Sequence, residues 1–189
     1  MESVELITSR LRLRMPTESD VDAITAACQD PEIPRWTTVP SPYTRADAEG
    51  FVDLVAQWWG DGSQTVWGIH RDDMLVGMIG LHHIVEHQAG GDAELGFWMT
   101  AEARGHGFLV EAAHAVVDWG FSELGLARLH WLAVTGNVPS ARAARALGFR
   151  FEGTQRQGLT SARGRDDGWT AALLPTDERT PVDWPVLKA

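Results

Sequence analysis

The stretch Thr100-Ala101-Glu102-Ala103-Arg104-Gly105-His106-Gly107-Phe108-Leu109-Val110-Glu111 decides how the rest of the chain is to be read. Before it, Leu95-Gly96-Phe97-Trp98-Met99 is an apolar, aromatic run of strand length. After it, Leu109, Ala113, Val116, Val117, Gly120, Phe121 and Leu124 recur at helical spacing and predict a helix with one apolar face on a sheet. The order is strand, glycine loop, helix. Backbone N–H groups at a helix start have no partner inside the helix, and the helix dipole adds positive potential there. Glycines ahead of that start let a ligand approach the backbone, so the arrangement suits a phosphate or diphosphate, with Arg104 and His106 as further donors. Standing alone, the glycine pair reads equally well as a tight turn. It is not a P-loop, because no Gly-Lys-Ser/Thr follows, and not a dinucleotide fingerprint, because the third glycine is missing.

A chain of 189 residues with 44% hydrophobic content is long enough for one well-buried domain, so residues 1–189 are expected to form a single unit. The net charge of -10 argues against a general nucleic-acid or anionic-membrane surface, and any anion must meet a local positive site. Cys28 is the only cysteine, which excludes an internal disulfide and a cysteine-based metal site and fits a reducing cytoplasm. The start Met1-Glu2-Ser3-Val4-Glu5 lacks a basic segment followed by an apolar one, and no run reaches membrane-span length, so an unexported soluble protein is expected.

From the start of the chain, alternation in Arg10-Leu11-Arg12-Leu13-Arg14 predicts a half-buried strand with a solvated arginine face. Thr17 and Asp20 resemble a capping box and open a helix that ends at Asp30-Pro31. The segment from Ile33 to Tyr43 carries three prolines and reads as an irregular loop. Its Trp36 and Tyr43 either line a substrate pocket or anchor the loop in the core. A second helix follows Thr44 and stops at Gly60-Asp61-Gly62. Thr65 to His70 and Met74 to Leu81 read as a hairpin closed by Arg71-Asp72-Asp73. His83 and His87 lie four apart on a strand that Ala89-Gly90-Gly91 cuts short, without the helical geometry that pairs two imidazoles on a metal, so no metal is expected. His82 and His83 face either an exposed tip or the active site. Leu126 to Val134 is a central strand, Pro139 to Leu147 a short helix stopped by Gly148, and Phe149 to Gly153 begins a further strand. Thr154 to Asp167 is polar and glycine-containing, Trp169 to Leu174 supplies the last strand, and the tail from Pro175 is irregular.

With these elements placed, the chain resembles the GCN5-related N-acetyltransferases (GNAT), and among them the RimJ/RimL-like group. The resemblance rests on Ser9-Arg10-Leu11-Arg12-Leu13-Arg14 with Asp30-Pro31, on Glu94-Leu95-Gly96-Phe97-Trp98 with Arg104-Gly105-His106-Gly107, and on Asn137-Val138-Pro139-Ser140 with Ala146-Leu147-Gly148-Phe149. It implies an α+β fold with a mixed, mostly antiparallel sheet of about six to seven strands, flanked by about four helices and splayed at its centre. It also implies acetyl-CoA as acyl donor and a primary amine, of a protein N-terminus or a small molecule, as acceptor, and it leaves a homodimer open. The family pattern is Arg or Gln, two residues, Gly, one residue, then Gly or Ala; Arg104 and Gly107 fit, whereas Leu109 stands at the last position and adds bulk.

By the same resemblance, the pantetheine arm lies between the strands of Phe97-Trp98-Met99 and Leu129 to Val134, bonded by backbone of Phe97 and Met99. The N–H groups of Arg104, Gly105, His106, Gly107, Phe108 and Leu109 hold the diphosphate, and Asn137 bonds the arm further along. The N–H near Phe97 polarises the thioester carbonyl. Ser140 matches a serine that protonates the departing thiolate, or else simply sits in a helix's first turn. Glu94 deprotonates the amine through water, or else orients the substrate cation or pairs with an arginine. His82 and His83 are rivals for the base. Trp36 and His82 are expected at the acceptor. An acyl-CoA-binding or sensor module obstructed at Leu109, and a transferase of another acyl group such as succinyl, are the alternatives.

Overall fold

The structure, a computed structural model, describes residues 1–161 and 164–188. Its described residues form one eight-stranded sheet in the order β1-β2-β3-β4-β5-β6-β8-β7, with strands β1 (Leu6–Ile7), β2 (Arg12–Arg14), β3 (Thr65–Arg71), β4 (Met74–Val85), β5 (Gly91–Met99), β6 (Leu126–Val134), β7 (Arg150–Ser161) and β8 (Gly164–Leu173). Every neighbouring pair is antiparallel except β5 and β6, which run parallel. A parallel pair needs a crossover, and the helix after the glycine loop, α4 (Phe108–Ser122), supplies it. Its buried face is Phe108, Ala112, Ala113, Val116, Val117 and Gly120. Gly120 brings the helix so close to the sheet that a Cβ there would lie 2.9 Å from Leu81 and 3.1 Å from Leu126. The other helices are α1 (Val21–Ala27), α2 (Glu32–Trp36), α3 (Arg45–Asp61) and α5 (Val138–Ala146). Edge-to-face contacts of Trp67 with Trp59 (4.9 Å) and Trp119 (5.2 Å) tie α3, β3 and α4 together.

Three elements differ from the sequence reading, the first two through bonds within a few residues and the third through pairing with a neighbouring strand. The arginine strand is confined to Arg12–Arg14 and a short strand, Leu6–Ile7, pairs with it, because Thr8 N–H bonds the Leu11 carbonyl at 2.9 Å and folds the chain back through Ser9 and Arg10. That turn raises the strand count to eight. The proline segment starts as a helix, α2, because Asp30 Oδ1 accepts the Glu32 N–H at 3.0 Å and Pro34 falls in a first turn where no N–H is needed; only the part after Trp36 is irregular. The polar run from Thr154 to Asp167 is strand in its described residues, paired across Leu159↔Asp166 and Thr160↔Arg165. This hairpin has many exposed positions, so its ladder carries no apolar alternation to read.

The capping box expected at Thr17 and Asp20 is present, and a second one stands at Thr44, where Asp47 Oδ2 accepts the Thr44 N–H at 2.7 Å; Gly62 ends α3 at φ +77°. Asp20 does more than cap. Its carboxylate accepts the Thr17 N–H (2.8 Å), two bonds from Arg14 (2.7 and 2.9 Å) and one from buried His70 (3.0 Å). Burial works to raise the Asp20 pKa, but the bonds from His70, Arg14 and Thr17 together hold it well below the usual carboxylate range. The stability it contributes is therefore complete above the unfolded pKa of about 3.9 and is lost as pH falls toward the depressed folded value. Asp20→Asn should lower the unfolding free energy by about 3 kcal/mol at pH 7. It should also flatten the loss of stability below about pH 4 that is expected of the parent, as denaturant titrations across pH would read. A variant with the parent's acid sensitivity would place that sensitivity elsewhere.

Candidate active site

The sheet opens at its centre. The last residues paired between β5 and β6 are Glu94 and His130, and from there the two strands part. The Thr100 N–H bonds the Val76 carbonyl at 3.0 Å, which sets the parity along β5: the backbones of Glu94, Gly96 and Trp98 bond β4, and those of Leu95, Phe97 and Met99 turn toward β6. Beyond Glu94, β6 does not pair with them. The gap is lined by backbone donors and acceptors of Phe97 and Met99, where the sequence reading placed the pantetheine arm.

At the open end of β5 the chain passes through a 3-10 turn, Ala101–Ala103, into the glycine loop. Gly105 (φ +79°) and Gly107 (φ +78°) both adopt left-handed backbone, which a side chain would strain. Gly107 is the N-cap of α4. The Arg104 guanidinium turns away from the loop, donating to the Met99 carbonyl (3.2 and 3.0 Å) and Asp30 (2.7 Å), so what Arg104 offers an anion at the loop is backbone. A different arginine stands there. Arg10 donates to the His106 carbonyl at 3.2 Å, and its guanidinium lies 4.7 Å from the centre of the Phe108 ring, on which His106 stacks at 5.6 Å. Phe108 is a buried side chain, and the partly buried Leu109 packs against the core.

Arg10 is held by Glu111, in the first turn of α4. The Glu111 carboxylate accepts from Thr8 Oγ1 (2.6 Å), Ser9 Oγ (3.0 Å), the Arg10 N–H (2.9 Å) and Arg10 Nε (2.6 Å). Burial works to raise its pKa, but the bonds from Thr8, Arg10 and Ser9 bring it down to about 2. The β1–β2 turn and the glycine loop are thus one assembly.

At the closed end of the gap, Glu94 is cross-strand partner to His82 on β4 and to His130 on β6. Together with His83, Val85, His87, Asp92, Ala93 and Leu132, Glu94 and His130 line a cavity of about 350 Å³. Among the described residues nothing donates a hydrogen bond to the Glu94 carboxylate; burial pushes its pKa up, against an opposing pull from His83. A bulge between His82 and Val85 puts His83 at φ +52°. The His82 imidazole lies over Gly80 and Gly96, where a Cβ would come within 3.1 and 2.9 Å of its Nε2. Nδ1 lies 2.6 Å from Gln64 Oε1, an acceptor, so Nδ1 carries the proton and Nε2 accepts. Burial pushes the His82 pKa down to about 4, with His83 adding to the effect, and keeps the ring neutral at physiological pH. Among the described residues no group of three or more His, Cys, Asp or Glu side chains is placed to hold a metal ion, and no helix is long and apolar enough to cross a membrane.

Across the gap, Asn137 caps α5: its Oδ1 accepts the Ser140 N–H at 3.3 Å. Ser140 Oγ accepts from Trp131 Nε1 at 3.0 Å.

A sequence profile for the family described as Acetyltransferase (GNAT) domain matches residues 10–150. The chain belongs to the GNAT family. YoaA of Bacillus subtilis strain 168, an uncharacterized N-acetyltransferase, is 33% identical over 154 residues, covering 80% of this chain and 86% of YoaA. RimJ of Mycobacterium smegmatis, solved with CoA-disulfide, matches with a TM-score of 0.80 at 18% identity, over 87% of this chain and 82% of its own. RimL, a ribosomal L7/L12 α-N-protein acetyltransferase solved with coenzyme A, matches with a TM-score of 0.81 at 18% identity, over 92% of this chain and 98% of its own. At these identities the two structures speak for the shared fold, the α+β arrangement expected from the sequence.

In this GNAT chain Trp36 is not among the side chains of the core cluster or those packed against it. It is half-exposed, its Nε1 donates to Glu32 at 2.9 Å, and Arg35 stacks on it at 4.5 Å. It lines neither this cavity nor the one of about 430 Å³ beside Arg35, Thr37 and Ser161. Tyr43 does pack on the core, and burial raises its pKa. Sequence reasoning missed Arg10, Glu111, His130 and Trp131. Glu111 had a visible signal, an acid in the first turn after a glycine loop, but its partners are a hundred residues away. Glu111→Ala should lower unfolding free energy by about 2 kcal/mol and weaken acetyl-CoA binding several-fold in calorimetry, because the loop loses its tie to β1–β2. Glu5→Ala, which removes the exposed Glu5–Arg12 pair, should change neither. Equal effects from the two would mean that the loop is held by other contacts.

Proposed function

We propose that the chain transfers the acetyl group of acetyl-CoA to a primary amine by direct attack on the thioester. The observation that carries this reading is the register of β5 and β6. They pair as far as Glu94 and His130 and then part, with Phe97 and Met99 backbone turned into the gap and the glycine loop at its open end. An acyl-CoA fits that shape from both ends. Its diphosphate takes the N–H groups of Gly105 to Leu109 at the positive end of α4. Its pantetheine amides bond the strand edge, and the Phe97 N–H faces the thioester oxygen, where negative charge develops.

Attack needs a neutral amine. A protein α-amino group, with a pKa of about 7.7 to 8.0, is partly neutral near pH 7.5, whereas a lysine at about 10.4 is not. The α-amine is therefore the easier acceptor, and the name of RimL, an α-N-protein acetyltransferase, points the same way. Glu94, half-buried and with its pKa raised by that burial, is the general base. Neutral His82 accepts a hydrogen bond from the amine through Nε2 and orients its lone pair. Ser140 gives its proton to the leaving thiolate.

CoA release should be measured with acetyl- and succinyl-CoA against a panel of peptides with free α-amino groups, lysine side-chain amines and small amines. Fastest release with acetyl-CoA and an α-amine supports the reading; release with no amine of any kind contradicts it. Glu94→Gln should lower kcat about 100-fold or more. In the parent, the acid limb of kcat/KM should lie above the ordinary glutamate pKa of about 4.3, rising with pH as Glu94 ionises, and it should vanish in the variant. A limb that persists unchanged would move the base to another group.

A further inference from the structure

We propose that Trp131 is the positioning residue that makes Ser140 a proton donor, and that Trp184 in the C-terminal segment holds Trp131 in place. The proposal rests on the acetyl-transfer reading above and adds residues to which that reading gives no role.

Trp131 is 1% exposed on β6, and its Nε1–H donates to Ser140 Oγ at 3.0 Å. An indole N–H can only donate, so the Ser140 oxygen accepts and its own proton is directed to another acceptor. A donor on the oxygen also stabilises the alkoxide more than the hydroxyl, which eases release of that proton. The Asn137 cap fixes the backbone of Ser140 from the other side, and the side chain remains only half-buried. Trp131 is itself braced. The Trp184 ring lies 5.4 Å from it and 5.4 Å from Phe151, and Trp184 Nε1 donates to the Phe149 carbonyl at 3.1 Å. Trp184 is also 1% exposed, yet it lies beyond residues 10–150, the part that the family profile matches. The tail of this chain adds a buttress behind a family site.

In the step that these groups serve, an oxyanion lone pair re-forms the C=O bond as the C–S bond of the tetrahedral intermediate breaks and its electron pair goes to sulfur. Sulfur takes the Ser140 proton as the bond breaks. The Ser140 oxygen, held by the Trp131 N–H, regains a proton from solvent. The proton lost by the amine goes to Glu94, so the amine's nitrogen ends neutral in the amide.

The test is a double-mutant cycle on transfer from acetyl-CoA to a pool of short peptides with free α-amino groups, read as CoA released. Ser140→Ala should lower kcat about 100-fold and Trp131→Phe about tenfold. The double variant should be no slower than Ser140→Ala alone, with the KM for acetyl-CoA within about twofold throughout. A double variant whose loss is the product of the single losses overturns the proposal, since Trp131 would then act through packing. A Ser140→Ala variant as fast as the parent overturns it too, while leaving acetyl transfer itself standing. A second measurement needs no acceptor and leaves Trp131 intact. In the indole N–H NMR spectrum, the signal displaced by Ser140→Ala belongs to Trp131. It should move when CoA is added to the parent and stay when desulfo-CoA is added. Equal movement with both would mean that Ser140 does not face the sulfur.

Discussion

The parting of β5 and β6 beyond Glu94 and His130 is the constraint on which the rest of this molecule depends. A strand inside a sheet normally spends both edges on neighbours, and a buried edge without partners is costly. Here β5 keeps β4 along its whole length and gives up β6 halfway, so a row of backbone groups faces a gap in the middle of the protein. The gap calls for an extended, amide-bearing guest. Because β5 and β6 are parallel, a crossover helix must start at the end of β5, and the positive end of α4 therefore sits at the mouth of the same gap. One topological fact thus supplies both the slot and the anion site.

Electrostatics then sort the ends of the slot. The protein carries a net charge of -10, yet Arg10, Arg71 and the start of α4 gather around Phe108 at the mouth. The inner end is the opposite: Glu94 and Asp92 with His83 and His130 line the cavity, and Glu94 has its pKa raised by burial. A negatively charged donor entering from the loop and a cationic acceptor arriving at the cavity would meet at Phe97. Glu111 keeps the arrangement from collapsing on itself, because it engages Arg10 at Nε and leaves part of that guanidinium toward the loop.

Much of this was legible in the residues. Glycines before an apolar helix, Pro139 in a helix's first turn, and Gly148 closing that helix each have a local cause that a sequence displays, and all three stand where expected. The elements read differently were those whose structure is set from outside. Thr154 to Ser161 is a strand because β8 pairs with it, not because of its own polar pattern. Arg104 looked like a ligand donor because of its place in the motif, but Asp30, 74 positions away, takes its guanidinium. Trp36 read as a pocket wall or a core anchor because large aromatics seek cover, and Arg35 and Glu32 give it some of that cover locally. Trp131 and Ser140 meet only once β6 and α5 are folded together, and no spacing in the sequence announces their bond.

The central claim is that an acyl-CoA lies along β5 with its diphosphate on the glycine loop. Amide hydrogen exchange, residue by residue, with and without acetyl-CoA, tests it most directly. The account predicts slowed exchange at Phe97, at Met99 and from Gly105 to Val110. It predicts no change at Trp98, whose backbone already bonds β4, or along the β7–β8 hairpin. Protection confined to the hairpin and the proline segment, with the amides of Phe97 and the glycine loop unchanged, would contradict it.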